Sequence, residues 1–291
     1  MSIRSNIKSF VKLVFGKRPN ILMANIVKLA PSQLLQGRAA LITGGTSGIG
    51  FSIADAMLDA GASAVVITGR SEERCKAAIK KLVGNDPSRE SKVFFQIIDN
   101  RKVSTFDLSL SEIITKIGDN RISILVNNAG VQSPYFGETT EEEYDNCLDT
   151  NLKGTYFLTQ KVARYMVNNN IHGNILNIAS SSSIRPAANA YTISKVGIKE
   201  FTAGIAKTLI QYGIIVNGVA PGPTSTPMLV KQDNSDLSIS HNPLGRYALP
   251  EEIANMAVIL TSAMGRTIVG SIVYMTGGGG ITTFEDVQYP F

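Results

Sequence analysis

Ala39-Ala40-Leu41-Ile42-Thr43-Gly44-Gly45-Thr46-Ser47-Gly48-Ile49-Gly50 joins an apolar run to a cluster of glycines. Ala39–Thr43 reads as a buried strand and Gly48–Ala60 as a helix, so the glycines fall in the turn between them. Glycines there allow a tight turn, let the backbone approach a pyrophosphate, and aim a helix amino terminus at its charge. The string alone is a weak signal. Its place after a strand and before a helix is what points to a bound dinucleotide.

The same alternation continues along the chain. Strands are expected at 64–68, 93–98, 122–126, 173–178, 214–219 and 271–275. Helices are expected at Ser71–Leu82, Glu141–Asn169, Tyr191–Tyr212 and Pro250–Thr261. Strands alternating with helices of this length imply an α/β fold: a single Rossmann-type, doubly wound parallel sheet flanked by helices on both faces. In such sheets ligands bind outside the carboxyl ends of the strands.

Composition narrows the class. The 291 residues are 44% hydrophobic and 18% charged, ordinary for a globular enzyme with a large core. Residues 1–37 carry Arg4, Lys8, Lys12, Lys17, Arg18 and Lys28 and no acid, which leaves 22 bases against 23 acids in the rest. The net charge of +5 therefore belongs to the amino-terminal arm and does not indicate nucleic-acid binding. Three regions are expected: a basic extension over 1–37, made of an amphipathic helix and a lead-in to the first strand over Asn25–Leu35, a catalytic domain over 38–281 and a tail over 282–291. Within the extension, Ile3, Ile7, Phe10, Val11 and Val14 follow helical spacing with the bases offset. Such a basic amphipathic helix packs on its own or a neighbouring subunit, touches a membrane surface peripherally, or serves as a cleaved targeting segment. No run of about 18 apolar residues appears, so no transmembrane segment is expected. Cys75 and Cys147 are far apart and there are only two histidines, so neither a disulfide framework nor a metal site is expected, and a cytoplasmic location fits.

The choice of dinucleotide is read at the end of the second strand. An NAD site places an acid about 20 residues after the glycines, on the ribose 2′-hydroxyl. Here the chain reads Thr68-Gly69-Arg70, followed by Glu72 and Glu73. A guanidinium suits a 2′-phosphate, so NADP(H) is favoured over NAD(H).

Tyr191 and Lys195 are four apart in a helical pattern and face the same way. A phenol titrates near 10, and a neighbouring ammonium lowers that value, making Tyr191 a general acid/base. Upstream, Asn177-Ile178-Ala179-Ser180 ends a strand and places a hydroxyl to polarise a carbonyl, with Ser181, Ser182 and Ser183 as competitors for that role.

Taken together these motifs resemble the classical short-chain dehydrogenases/reductases, across roughly Leu35 to Ile281. The resemblance is carried by Thr-Gly-x-x-x-Gly-x-Gly at 43–50, Asn127-Asn128-Ala129-Gly130, Asn151-Leu152-Lys153-Gly154 and Tyr-x-x-x-Lys at 191–195. Pro221-Gly222 with Thr226, Pro243-Leu244-Gly245-Arg246 and Pro250-Glu251-Glu252 extend it. It implies an NAD(P)-dependent oxidoreductase that moves hydride between nicotinamide and a small carbonyl or secondary alcohol. By that resemblance Tyr191 exchanges the proton, Ser180 positions the oxygen, Lys195 binds ribose and tunes Tyr191, and Asn151 holds a relay water. Thr43, Gly44, Thr46, Ser47, Gly48, Ile49, Gly50, Asn127, Ala129 and Gly130 support the cofactor together with Tyr191 and Lys195. Asp99 contacts adenine, with Asp107 as its competitor, while Pro221, Gly222, Thr224 and Thr226 border the carboxamide, which Thr226 holds. The Ser180–Tyr191 spacing of eleven is shorter than is usual in that family.

Two other readings compete. One is a non-catalytic NADP(H)-binding sensor or scaffold, against which the retained Ser180, Tyr191, Lys195 and Asn151 argue. The other is an extended-type nucleotide-sugar epimerase or dehydratase, for which the glycine spacing differs. Relatives of this kind are commonly oligomers, so a homotetramer or homodimer is expected.

Overall fold

Seven strands alternate with seven α-helices among the residues that this computed structural model describes, 29–228, 236–240 and 242–282. The strands are β1 (Ala39–Ile42), β2 (Ala64–Gly69), β3 (Val93–Ile97), β4 (Ile122–Asn127), β5 (Asn174–Ile178), β6 (Ile215–Pro221) and β7 (Ile272–Met275). The helices are α1 (Gly48–Asp59), α2 (Glu72–Val83), α3 (Phe106–Ile117), α4 (Glu141–Leu148), α5 (Gly154–Asn168), α6 (Ala190–Leu209) and α7 (Pro250–Thr261). All pairings are parallel, in the order β3-β2-β1-β4-β5-β6-β7. The order reverses between β1 and β4, and a crevice opens there at the strands' carboxyl ends. Thr43–Gly50 leaves β1 and Asn127–Gly130 leaves β4, so both motifs flank that crevice.

Strand periodicity sorts the core into two layers. Ala40 and Ile42 of β1 pack with Ile53 and Met57 of α1, Leu82 of α2 and Ile253 of α7. Ala39 and Leu41 point the other way, to Phe106 and Ile113 of α3, Val162 and Met166 of α5 and Ala206 of α6. Ile42 and Leu41 are fully buried, and each contributes roughly 1.5–3 kcal/mol by leaving water. This is the doubly wound arrangement expected from the alternation of strand and helix.

One detail departs from the sequence reading. The single helix expected over Glu141–Asn169 is divided: α4 and α5 are separated by a π-helical turn at Asp149–Lys153, which holds Asn151. Such widened turns recur at functional sites. Gly154 is packed so closely that a Cβ there would lie 2.4 Å from the Asn100 carbonyl oxygen. The residues just before β1 pack on the body. Pro31–Gln33 forms a 3₁₀ turn, Leu35 is fully buried in the core, and Leu35 N donates to Ala60 O at 2.9 Å. The amphipathic helix expected at residues 3–14, and the tail after Thr282, lie outside the described residues.

Candidate active site

A cleft of about 710 Å³ runs along the carboxyl ends of the strands. Its floor is the turn from β1 into α1. Gly44 (φ +65°) and Gly48 (φ +55°) take left-handed conformations that only glycine adopts without strain. The turn is locked to the β4 loop: Asn128 Nδ2 donates to Thr43 O (2.9 Å) and Gly44 O (3.1 Å). Thr43 Oγ1 accepts in return from the amides of Asn128 (2.9 Å) and Ala129 (3.0 Å). A Cβ on Gly50 would sit 2.4 Å from Asn128 Nδ2, so this glycine is required by close approach. Gly44, Thr46, Ser47, Gly48 and Ile49 line the cleft, whereas Thr43 and Gly50 stand behind its wall.

One arm of the cleft is cationic. Arg70 at the end of β2 and Arg74 in the first turn of α2 both line it, with Ser71 between them accepting from Arg74 N (3.3 Å). Glu72, the nearest acid in sequence, does not line the cleft and pairs with Lys76 at 2.8 Å. Asp99 lines this arm as well, and Arg101 holds its carboxyl below the usual carboxylate range, with Arg70 adding to the effect. Its competitor Asp107 is on α3, paired with Lys161 at 2.6 Å and outside the cleft. Of the two acids, Asp99 alone borders the cleft.

The other arm gathers Ser180, Tyr191 and Lys195 with Ala129, Gly130, Pro221, Gly222, Thr224 and Thr226. Ser180 caps a 3₁₀ turn formed by Ser181–Ile184, so the serine run is an ordered turn rather than a solvated loop. Asn189 caps α6 by accepting from Thr192 N (2.8 Å), and Ser133 Oγ accepts the Tyr191 amide at 3.0 Å. Lys195, nearly fully buried, donates to Ile178 O at 2.8 Å, and its Nζ is 5.7 Å from the Tyr191 ring centre.

The electrostatics correct one expectation. Lys195 was expected to lower the Tyr191 pKa; instead burial pushes the phenol above its ordinary value, and the Ser180 hydroxyl opposes this. Burial also pulls Lys195 down to about 8, because a buried ammonium without a carboxylate partner is costly. Tyr191 is therefore a protonated acid at neutral pH.

Two expected residues support the site from behind. Asn127 does not line the cleft: its Nδ2 ties β4 to Thr159 Oγ1 and Asn177 Oδ1, both at 2.8 Å. Asn151 does not line it either. Its Oδ1 accepts from Val131 N (2.8 Å) and its Nδ2 donates to Val131 O and Ser194 Oγ (3.0 Å each). The side chain thus clamps the cleft wall at Val131 to α6 at Ser194. The sequence reading overlooked Arg74, Asn128 and Ser133 as parts of the site. Arg74 carried a signal, since it lies four residues beyond Arg70; the others depend on contacts between distant segments.

The cradle fits a dinucleotide: its floor is glycine, a twelve-residue helix begins there with no acid in its first turn, and its cationic arm suits phosphate. Thr150 and Thr276, which border the cleft, each carry a buried hydroxyl with no hydrogen-bond partner among the described residues. Residues 38–236 match the family described as short chain dehydrogenase, and the chain belongs to that family. It is 32% identical over 249 residues to the 3-oxoacyl-[acyl-carrier-protein] reductase FabG of Aquifex aeolicus, covering 84% of this chain and 98% of that protein. It is 31% identical over 252 residues to gluconate 5-dehydrogenase of Gluconobacter oxydans, covering 84% and 95%. Among solved structures, a gluconate 5-dehydrogenase from Burkholderia cenocepacia in complex with NADP and tartrate aligns with a TM-score of 0.75 at 29% identity, over 85% and 97% of the chains. Actinorhodin polyketide ketoreductase with NADPH aligns at 0.74 and 29%, over 84% and 97%.

Proposed function

We propose that this protein is an NADPH-dependent reductase of a small carbonyl compound. The observation that carries the reading is one cleft with Arg70 and Arg74 at one arm and Ser180, Tyr191 and Lys195 at the other. NADPH, when bound, supplies the hydride to the carbonyl carbon. Tyr191 gives its proton to the carbonyl oxygen, Ser180 donates a hydrogen bond to that oxygen, and the product is a secondary alcohol. The Lys195 ammonium stabilises the phenolate left on Tyr191 and holds the nicotinamide ribose. Asn151 keeps Lys195 and Tyr191 in register through Ser194. Arg70 and Arg74 meet the 2′-phosphate, Asp99 the adenine and Thr226 the carboxamide. A pure binding scaffold has no use for an acid placed beside a buried ammonium, which disfavours the non-catalytic reading.

The relatives named above direct the first substrates to 3-oxoacyl thioesters and keto-acids of sugars. Two free, buried cysteines accord with a reducing cytoplasm. No helix among the described residues is long and apolar enough to cross a membrane. Half-exposed Tyr144, Tyr156 and Ile193 on α4, α5 and α6 support a homo-oligomer, to be read by light scattering. The basic residues of 1–37 remain candidates for peripheral membrane contact, to be read by vesicle sedimentation with and without that segment.

The deciding experiment titrates wild type and Arg70→Ala with NADPH and NADH, following nicotinamide fluorescence. Tighter NADPH binding, reduced about 10-fold or more by Arg70→Ala with NADH unchanged, is the expected result. Equal or tighter NADH binding overturns the cofactor assignment, and binding of neither returns the scaffold reading.

A further inference from the structure

Asp99 places a carboxylate in the arm of the cleft where Arg70 and Arg74 suit a phosphate. β2 and β3 are neighbours, and Ile98 N donates to Gly69 O at 3.0 Å, so Arg70 and Asp99 follow side by side at the carboxyl ends of the two strands. Arg70 is near enough to help hold the Asp99 carboxyl below its ordinary range. A carboxylate suits a bare ribose 2′-hydroxyl, which donates to it, and repels a 2′-phosphate. Left alone, Asp99 would draw the Arg70 guanidinium to itself and oppose the cofactor that Arg70 favours.

The Asp99 charge is met from another side, by Arg101. The guanidinium grips both oxygens, with Nε donating to Oδ1 at 3.0 Å and Nη2 to Oδ2 at 2.7 Å. The Arg101 amide adds a further bond to Oδ1 at 3.1 Å. Such a two-pronged pair is the strongest form of this contact. The Asp99 side chain is only 17% exposed, so water screens its charge poorly and a fixed partner matters. Arg101 is itself anchored, its Nη1 donating to Asn146 Oδ1 on α4 at 3.1 Å. Asn100, between the two in sequence, is buried with its carbonyl against Gly154, which fixes the turn. Arg101 does not line the cleft, and Arg70 has no carboxylate within ion-pair distance among the described residues.

We propose that Arg101 is a positioning residue that sets cofactor choice: by occupying the Asp99 carboxylate from outside the cleft, it leaves the Arg70 guanidinium to the 2′-phosphate of NADPH. The inference rests on the assignment of NADP(H) to this cleft. Arg101 acts through Asp99 and not on the phosphate itself. Any adenine contact of Asp99 is common to both dinucleotides, so the ratio of NADPH to NADH affinity isolates the effect.

The test measures both affinities by nicotinamide fluorescence in wild type, Arg101→Gln, Arg101→Lys and Arg101→Gln combined with Asp99→Asn. Arg101→Gln should lower the NADPH-to-NADH affinity ratio about 3- to 10-fold, the scale of one partly shielded charge pair. Asp99→Asn in the same chain should restore the ratio, because the opposing charge is gone, and Arg101→Lys should keep most of it. Equal losses of NADPH and NADH in Arg101→Gln leave the ratio unchanged and overturn the proposal. A lowered ratio that Asp99→Asn fails to restore overturns it too, since Arg101 would then meet the phosphate directly. Wild type that binds NADH as tightly as NADPH overturns the NADP(H) assignment and this proposal with it; a wild-type preference that survives in Arg101→Gln overturns this proposal alone.

Discussion

Lys195 Nζ lies 2.8 Å from the Ile178 carbonyl oxygen and has no carboxylate partner among the described residues. An ammonium buried against a neutral dipole titrates early, at about 8 instead of 10.5. The proposed reduction needs the Tyr191 phenol protonated and Lys195 charged. Since burial keeps the phenol protonated beyond its ordinary range, the first group lost as pH rises is Lys195. The rate of carbonyl reduction should therefore be flat through neutrality and fall as pH passes about 8. A kcat profile taken with saturating NADPH checks this, and a plateau extending to pH 10 would contradict it.

The same shift has a stability consequence. The unfolded chain holds the Lys195 proton up to 10.5, while the folded chain releases it near 8. Between those values the unfolded state binds more protons, so this residue's contribution to stability improves as pH rises through the window. Below it both states are protonated, and the burial cost is present in full. Lys195→Met should accordingly raise stability at pH 7 by roughly 1–3 kcal/mol while lowering turnover. Thermal unfolding of the two proteins at neutral and alkaline pH measures it, and the advantage of the variant should shrink at alkaline pH.

Tyr191→Phe removes the proposed proton donor and keeps the ring. Turnover should fall by about 10²–10⁴-fold, with NADPH binding essentially retained. Single-turnover rates and a fluorescence titration on the same sample separate the two effects. Wild-type-like turnover would remove Tyr191 from the mechanism.

Gly50→Ala drives a methyl into the position 2.4 Å from Asn128 Nδ2 and 2.5 Å from Gly44 O. The bridge from the β4 loop to the β1 turn must move, at a cost of about 1–3 kcal/mol. Loss of stability in a denaturant titration should be accompanied by weakened NADPH binding, since Gly44 and Ala129 move with the bridge.

Asn127→Ala leaves Thr159 Oγ1 and Asn177 Oδ1 without their shared donor in a buried setting. The expected loss is about 1–3 kcal/mol in denaturant stability, with NADPH affinity changed far less than by Gly50→Ala.

The parallel sheet was readable from the chain because its signals are local. Each strand is a short apolar run, each helix has its own period, and Thr43–Gly50 announces a strand-to-helix turn without reference to anything distant. The spacing of Tyr191 and Lys195 is local too, since one helix sets it. The split of the helix expected over Glu141–Asn169 was not readable, because the π turn is held by Asn151 reaching Val131 and Ser194 in other segments.

Sequence alone thus determined the architecture, the glycine cradle and the spacing of Tyr191 and Lys195, all of which follow from periodicity and residue type within short windows. Tertiary structure decided which of two neighbouring asparagines meets the cleft, which of two aspartates borders it, and that Arg74 joins Arg70. It also set the sign of the Tyr191 shift. Burial and hydrogen-bond partners are properties of segments brought together from across the chain, and a pKa answers to desolvation by all of them at once.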